Sequence, residues 1–390
     1  MEFGWTEEQQ EFRADLRRFL EEQRTPALME ELANIDPESG ARGPEAKKFR
    51  DALNDAGYTT MAWPKEYGGQ AKGGFFSFIL SEELGYSGLP YNSLSVNSVG
   101  ATIMGFGSEE QKREWLPKIQ TGEMNFAIGY TEPNAGTDLA SLQTRATRDG
   151  DDYVINGQKI YTSGAHVATH VWLAARTDPD APKHRGVSMF VVPLTTPGIT
   201  VRPLYMMGGG RTNETFWEDV RIPAEAMVGE ENRGWYMTQN ALDLERVVIS
   251  PAAPITRTFE KIVTYVKEKR PDLIDDSTTR AALAQTKMDV QIARALATTN
   301  ALIIAGGMTP NAEASMAKTW TTEAQTRINS LAMDLFGGYG GLTKDSGELA
   351  VVDGEFENRW FGSPSSRFGG GTNDIQRRII ATRGLGLPRG

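Results

Sequence analysis

The chain has 390 residues, no cysteine, and 51 Asp+Glu against 41 Lys+Arg. The missing thiols exclude disulfides, thiolate metal sites and cysteine nucleophiles, and the acidic balance argues against a nucleic-acid partner, which needs a basic stripe. The length suffices for two or three packed units. No apolar run approaches the ~18 residues of a membrane span, and no secretory signal opens the chain, so a soluble cytoplasmic protein is expected.

The elements fall into three blocks. Thr6 and Gln9 form a capping box ahead of Phe12, Leu16, Phe19 and Leu20 at helical spacing. "WPKEYGG" reads as a loop. "FFSFILSEELGY" is apolar nearly all round and reads as a buried helix. "SEEQKREWLPKIQTGE" is a short helix capped by Ser108. From about Met124 the pattern turns to strands. Asp149-Gly150 and Asn156-Gly157 are turn dipeptides, and the second is expected to join "YVI" to "QKIYT" as a two-residue hairpin. "THVWLAART", "GVSMFVVPL" and "ITVRPLY" complete an expected antiparallel unit ending near Trp235. Helical periodicity then returns. "STTRAALAQTKMDVQIARALATTNALIIAGG" opens on a Ser/Thr cap and ends on glycines, "NAEASMAKTWTTEAQTRINSLAMDLFGG" repeats the design, and a last helix runs from about Thr372 to Thr382. The expected fold class is α+β, in three domains: a helical domain over 1–123, a β domain over 124–235 and a helical bundle over 236–390.

His166 and His170 stand four apart, a metal-pair spacing on a helix, but "GAHVATHVWLAAR" reads as a strand and no metal site is expected. "FGGYGG" follows a helix rather than a strand, so it is a poor phosphate fingerprint. "GYTEPNAGTDLASL" says more. Thr131, Glu132, Pro133, Gly136 and Thr137 make a polar, glycine-bearing turn whose N–H groups and hydroxyls suit the edge of a planar heterocycle; the alternative is an ordinary loop.

"WPKEYGG", "GYTEPNAGTDLASL", "INGQKIYTSGA", "NETFWEDVRIP", "VGEENRGW", "LDLERVVIS", "LFGGYGG" and "GGGTNDIQRRIIATRGLG", in this order and spacing, resemble the acyl-CoA dehydrogenase family over essentially the full length. The resemblance implies that family's fold, a helical domain, a β domain and a four-helix bundle. It also implies FAD, and an acyl-CoA thioester oxidised to the 2-enoyl-CoA. By position, Ile128, Tyr130 and Thr131 line the flavin, with Gly136 and Thr137 beside it. Tyr161 stands where many members have Trp against the flavin face, and Ser163 where many have Thr bonding the ring. Thr372 and Asp374 of the last motif join the cofactor-binding set.

The general base of many members is a Glu just before the Gly-Thr of the last motif, and here that position is Gly370. A minority typified by isovaleryl-CoA dehydrogenase carries its Glu on a helix, at the position of Glu245. Only the carboxylate's place relative to Cα and the flavin matters to the reaction, so Glu245 is the expected base. The Gly370 N–H is expected to polarise the thioester carbonyl, and Asp243 and Arg246 to face the CoA part of the substrate.

Family FAD sites are shared between subunits, and the neighbour normally donates an Arg-aromatic-glycine element and a Gln. Here the first region reads "YVKEKRPDLIDDSTTR", with Lys269 or Arg270 as loose substitutes, and Asp334 stands in the Gln place. An anion beside a pyrophosphate is unfavourable. The pattern resembles actinobacterial steroid-catabolic members that assemble as α2β2 from two homologous chains, which implies a bulky steroid-type or branched acyl group. A homotetramer remains the alternative. Electron-transfer flavoprotein is the implied acceptor. Two other readings stay open: a non-catalytic, FAD-completing subunit, and a flavin oxidase or monooxygenase on the same fold.

Overall fold

Thr6 starts the first helix: its hydroxyl accepts from the Gln9 N–H at 3.2 Å, and the Gln9 side chain accepts from the Thr6 N–H at 3.0 Å. In the computed structural model, which describes residues 5–36, 39–40, 42–238 and 252–388, the N-terminal region holds α1 (Glu7–Gln23), α2 (Pro26–Ala33), α3 (Pro44–Asp55), α4 (Gly74–Ser87), α5 (Ala101–Phe106) and α6 (Glu109–Thr121). Ser108 and Gln111 build a second reciprocal capping box at α6. As its composition indicates, α4 is buried, at Phe75, Ile79, Leu80 and Leu84. Its buried Glu83 is held by Arg13 and Arg17 of α1.

The central sheet has the order β6-β7-β3-β2-β4-β5-β8, with β1 attached to β4. Its strands are β1 (Phe126–Gly129), β2 (Arg145–Asp149), β3 (Asp152–Lys159), β4 (His170–Arg176), β5 (Val187–Pro193), β6 (Ile199–Tyr205), β7 (Arg211–Pro223) and β8 (Met227–Val228). In β4 every residue from Val171 to Ala175 is at most 1% exposed. Side chains alternate faces along a strand. Trp172 and Ala174 therefore join Val96, Val99, Ile103, Leu116 and Ile119 on the helical side. Val171, Leu173 and Ala175 pack with Tyr153, Phe190 and Trp217 on the other. A strand covered on both faces reads as a continuous apolar run, which is how "VWLAA" looks.

Two expectations about this sheet are corrected. It is mixed rather than antiparallel, because β1 and β2 both run parallel to β4, end to end along one of its edges. The hairpin lies at Gly150-Asp151, between the paired residues Asp149 and Asp152. Asn156-Gly157 instead sits inside β3, at a register shift against β7. A Cβ on Gly157 would lie 2.5 Å from Thr144 Oγ1, so the glycine serves a bulge and a close backbone approach rather than a turn.

The C-terminal region holds α7 (Ala253–Lys269), α8 (Ser277–Ala305), α9 (Ala312–Phe336), α10 (Glu355–Gly362) and α11 (Asn373–Ile379). Ile255, Phe259, Ile262 and Val266 of α7 meet Val290 and Ala293 of α8 and Ala324, Ile328 and Ala332 of α9. The cap of α8 is Asp276, accepting from the Thr279 N–H at 2.6 Å, not the Ser/Thr pair that follows it. The last helix starts at its Thr372 cap as expected and changes type along its length: α11 ends at Ile379 and continues as a π-helical turn to Gly384.

Glu82 of α4 accepts from the Ala252 N–H at 2.7 Å and so holds the start of α7 against the N-terminal helices. Burial pushes its carboxyl up from 4.5 to about 7, against the pull of the Ala252 and Ala253 N–H groups and of Arg294. Between those values the native chain keeps a proton that the unfolded chain has lost, so stability falls as pH rises through the window. Glu82→Gln keeps an acceptor for Ala252 without the charge. Its melting temperature relative to the parent should therefore be a few degrees more favourable at pH 8 than at pH 5. An equal difference at both pH values in thermal scans would remove Glu82 as the cause.

Candidate active site

The first cluster is built where the chain leaves the edge of β4. After β1 it makes an excursion, and it rejoins the same edge at Arg145. A buried ion pair shapes that excursion. Glu132 is 7% exposed and Lys159, at the end of β3, is fully buried; they meet at 2.8 Å. The Glu132 carboxylate also accepts from the Gln143 N–H at 2.6 Å and the Thr144 N–H at 2.8 Å. Lys159 Nζ donates a second bond, to the Tyr130 carbonyl, at 3.1 Å. Burial alone would raise the Glu132 carboxyl, but Lys159 and these donors outweigh it and hold the group below its ordinary value. Burial pushes the Lys159 ammonium down to about 8 even so, which leaves the pair charged at neutral pH. Tyr130 is fixed from its other end, its hydroxyl accepting from Trp172 Nε1 at 2.9 Å.

With Glu132 committed inward, the outer side of the turn is free. Among the described residues the N–H groups of Thr131, Gly136 and Thr137 find no acceptor. The Ile160 N–H donates to the Thr131 carbonyl at 2.9 Å and brings Tyr161 alongside. Tyr161 has a left-handed backbone, φ +58°, and its side chain stands 63% exposed. Such a conformation costs a bulky residue on the order of 1–3 kcal/mol and marks functional positions. Ser163 Oγ is 3.0 Å from Thr212 Oγ1, and Asn213 donates to the Thr162 carbonyl at 3.0 Å. Thr162 Oγ1 is buried with no partner among the described residues.

The second cluster is the glycine turn between α10 and α11. Gly370 and Gly371 are both left-handed, at φ +66° and +87°. Glycine adopts this at no steric cost, whereas a residue with a side chain, such as Tyr161, is strained there. A buried lysine holds the turn from below: Lys318 Nζ of α9 donates to the Arg367 carbonyl at 3.1 Å, the Gly371 carbonyl at 2.9 Å and Asn373 Oδ1 at 2.8 Å. Burial, reinforced by Arg367, pushes this ammonium down to about 8. Gln376 Nε2 adds a bond to the Gly370 carbonyl at 3.0 Å. The Thr372 hydroxyl caps α11 by accepting from the Ile375 N–H at 3.3 Å. The β6–β7 hairpin reaches this region, since a Cβ on Gly208 would lie 2.6 Å from the Gly362 Cα at the end of α10.

Three family models cover the chain in order: acyl-CoA dehydrogenase, N-terminal domain over residues 6–123, middle domain over 127–220 and C-terminal domain over 232–385. The chain belongs to the acyl-CoA dehydrogenase family. Its relatives include acyl-CoA dehydrogenase FadE26 of Mycobacterium tuberculosis, 38% identical across 100% of this chain and 99% of that protein. FadE29 of the same organism is 35% identical across 98% of each. Among solved structures, the Tcur3481-Tcur3483 steroid ACAD superposes with a TM-score of 0.91 at 35% identity, covering 100% of both chains. The ChsE4-ChsE5 complex from Mycobacterium tuberculosis does so at 0.89 and 37%, again covering both fully. Members are FAD-dependent oxidoreductases acting on the CH–CH bond of an acyl-CoA, and this acyl-CoA dehydrogenase shares their three-part fold.

Within it the residues expected at the flavin separate into groups. Tyr130, Thr131, Tyr161 and Ser163 gather around the first turn, with Gly136 and Thr137 on its exposed side. Ile128 is a half-buried strand residue packed on the helical-side core. Gly370 and Thr372 belong to the second cluster. Asp374 points to solvent, its side chain 92% exposed and 3.6 Å from Arg377. Glu245, Asp243 and Arg246 lie outside the described residues. The turn's unpaired N–H groups, the orphaned Thr162 hydroxyl and the open Tyr161 ring fit a planar, hydrogen-bonding ring such as a flavin. Sequence reasoning missed Lys159 and Lys318; the only signal was a lysine in an otherwise apolar setting, "INGQKIYT" and "ASMAKTW".

Removing one partner of a buried pair strands the other charge. Lys159→Met should destabilise the protein by about 3–5 kcal/mol, and adding Glu132→Gln should recover part of that loss. Denaturant titrations of the two single variants and the double variant measure it; strictly additive losses would refute a coupled pair.

Proposed function

We propose that the chain binds FAD and catalyses α,β-dehydrogenation of an acyl-CoA, with Glu245 as the base. The observation that carries this reading is the backbone of Gly370. Gly370 has no side chain to accept a proton, and its φ of +66° is one that glycine adopts without steric cost, so the proton acceptor comes from elsewhere. FAD, when bound, supplies the acceptor for the Cβ hydride. Thr131, Gly136 and Thr137 offer N–H groups to its ring, Tyr161 and Ser163 flank it, and Thr372 lies beside it. Gly370 donates its N–H to the thioester carbonyl oxygen, lowering the cost of removing the Cα proton by on the order of 3 kcal/mol. Glu245 takes that proton. Asp243 and Arg246 face the CoA portion.

A bulky steroid-type or branched acyl group is favoured by the likeness to the steroid ACAD. A homologous partner chain is favoured by a separate observation. Asp334 is exposed in the place of the donated Gln, where its charge would repel a pyrophosphate, and Arg270, one substitute for the donated Arg, stands beside Asp272 in an exposed pair. A mixed tetramer would draw those contacts from the other chain. Electron-transfer flavoprotein is the proposed acceptor.

Adding acyl-CoA to the FAD-loaded protein should bleach the flavin. Glu245→Gln should slow that bleaching roughly 10³-fold with FAD retained. An unchanged rate would dismiss Glu245, and a loss of FAD would assign it to structure. After co-expression with a homologous chain, native mass spectrometry should find one FAD per two chains. One FAD per chain in a homotetramer would defeat the mixed assembly.

A further inference from the structure

Gly369, Gly370 and Gly371 stand in a row, and glycine has more backbone freedom to lose than any other residue. An N–H group placed in such a stretch has no stiffness of its own. Gly369 and Gly370 border a cleft beside α9, and among the described residues no backbone acceptor takes the Gly370 N–H. Its direction is therefore set by whatever holds the peptide units on either side.

One atom does most of this. Lys318 Nζ donates to the Arg367 carbonyl ahead of the glycines and to the Gly371 carbonyl and Asn373 Oδ1 behind them, so it closes the loop from both ends. Gln376 Nε2 holds the Gly370 carbonyl between these points. An ammonium has three protons, and all three are used; a neutral amine would bring two to the same three oxygens. The charges that act on it are Arg367 of the turn and Glu323 of α9, and Glu323 is itself paired with Arg367 at 3.7 Å and with Arg377 of α11. Burial and Arg367 lower the ammonium to about 8 against the pull of Glu323, so its third proton is kept at neutral pH. Lys318 is fully buried, and a dry charge with no carboxylate on it is costly. A methionine would fill the same space without that cost, but it offers no point from which three loop oxygens receive protons.

Resting on the dehydrogenase reading, we propose that Lys318 is a positioning residue for thioester activation: by clamping the loop at Arg367, Gly371 and Asn373, it aims the Gly370 N–H at the thioester oxygen on which negative charge develops as the Cα proton leaves. Lys318 acts from beneath the loop and, being fully buried, touches no substrate. Its third proton belongs to the device, because without it one of the three oxygens loses its donor and the loop slackens.

Acetoacetyl-CoA tests the clamp without a redox step, since its Cα ionises in water and the enolate is seen in difference spectra. Bound to the FAD-loaded protein, with any co-purifying partner, it should ionise at a lower pH than in water. In Lys318→Met that acidity should fall roughly 10- to 100-fold, a shift of about one to two pH units. Affinity for the un-ionised compound, measured by calorimetry at about pH 6, should change by less than about threefold, because the pocket itself is unaltered. Lys318→Gln, with two donors left, should fall between the parent and Lys318→Met. A lysine that merely propped the fold would lower affinity and melting temperature and leave the acidity of whatever still binds unchanged. Acidity equal in parent and variants, or a parent that ionises the compound no more readily than water does, overturns the clamp. The comparison of the parent with water stands even if no variant folds. Flavin bleaching by octanoyl-CoA and isovaleryl-CoA reports separately on the dehydrogenase reading. Bleaching at the parental rate in Lys318→Met would leave dehydrogenation intact and remove Lys318 from it. Lys318-dependent acidity without bleaching by either thioester would count against dehydrogenation and leave the clamp standing.

Discussion

The buried Lys159–Glu132 pair is the contact on which the candidate flavin turn depends. Two ions out of water are costly, and they repay that cost only when their remaining hydrogen-bonding capacity is used. Here it is: the carboxylate accepts from the Gln143 and Thr144 N–H groups just ahead of β2, and the ammonium donates to the Tyr130 carbonyl just past β1. The pair thereby joins the two strand segments that share one edge of β4. Everything the turn offers outward, from Thr131 to Thr137, is offered because Glu132 is anchored inward.

The glycine turn follows the same logic with a different partner. Lys318 has no carboxylate within bonding distance among the described residues; three neutral oxygens receive its three protons. A dry ammonium satisfied by backbone carbonyls fixes those carbonyls, and with them the orientation of the peptide units around Gly370. Both clusters thus use a rigid, buried cation beneath an irregular stretch of chain. Such support is what a site needs when its working groups are backbone N–H groups, whose direction no side-chain rotamer can adjust.

Much of the fold was legible because local rules decide it. The capping box at Thr6 and the cap at Ser108 involve residues three apart, so a short window of sequence contains them. The apolar run "VWLAA" marked β4 as a strand, and the structure shows it covered on both faces. The failures are equally physical. Asn156-Gly157 has strong hairpin chemistry, but Thr144 presses on that backbone and only a glycine fits. The parallel pairing of β1 and β2 with β4 joins segments distant in sequence, and alternation within a strand does not report its neighbour's direction. At α8 the true cap, Asp276, precedes the Ser/Thr pair by one residue because its carboxylate reaches the Thr279 N–H first.

By itself the sequence determined the three-part order of helices, sheet and helices, the family, and the absence of a carboxylate at Gly370. These are properties of residue identity and short-range periodicity. Only the tertiary structure decided which polar groups are dry and how they are paired: that Glu132 is spent on Lys159, that Lys318 is spent on the Arg367 and Gly371 carbonyls and Asn373, and that Asn329 Oδ1 has no partner among the described residues. Burial and pairing are set by what the folded chain brings together from far apart, and no window of sequence contains that.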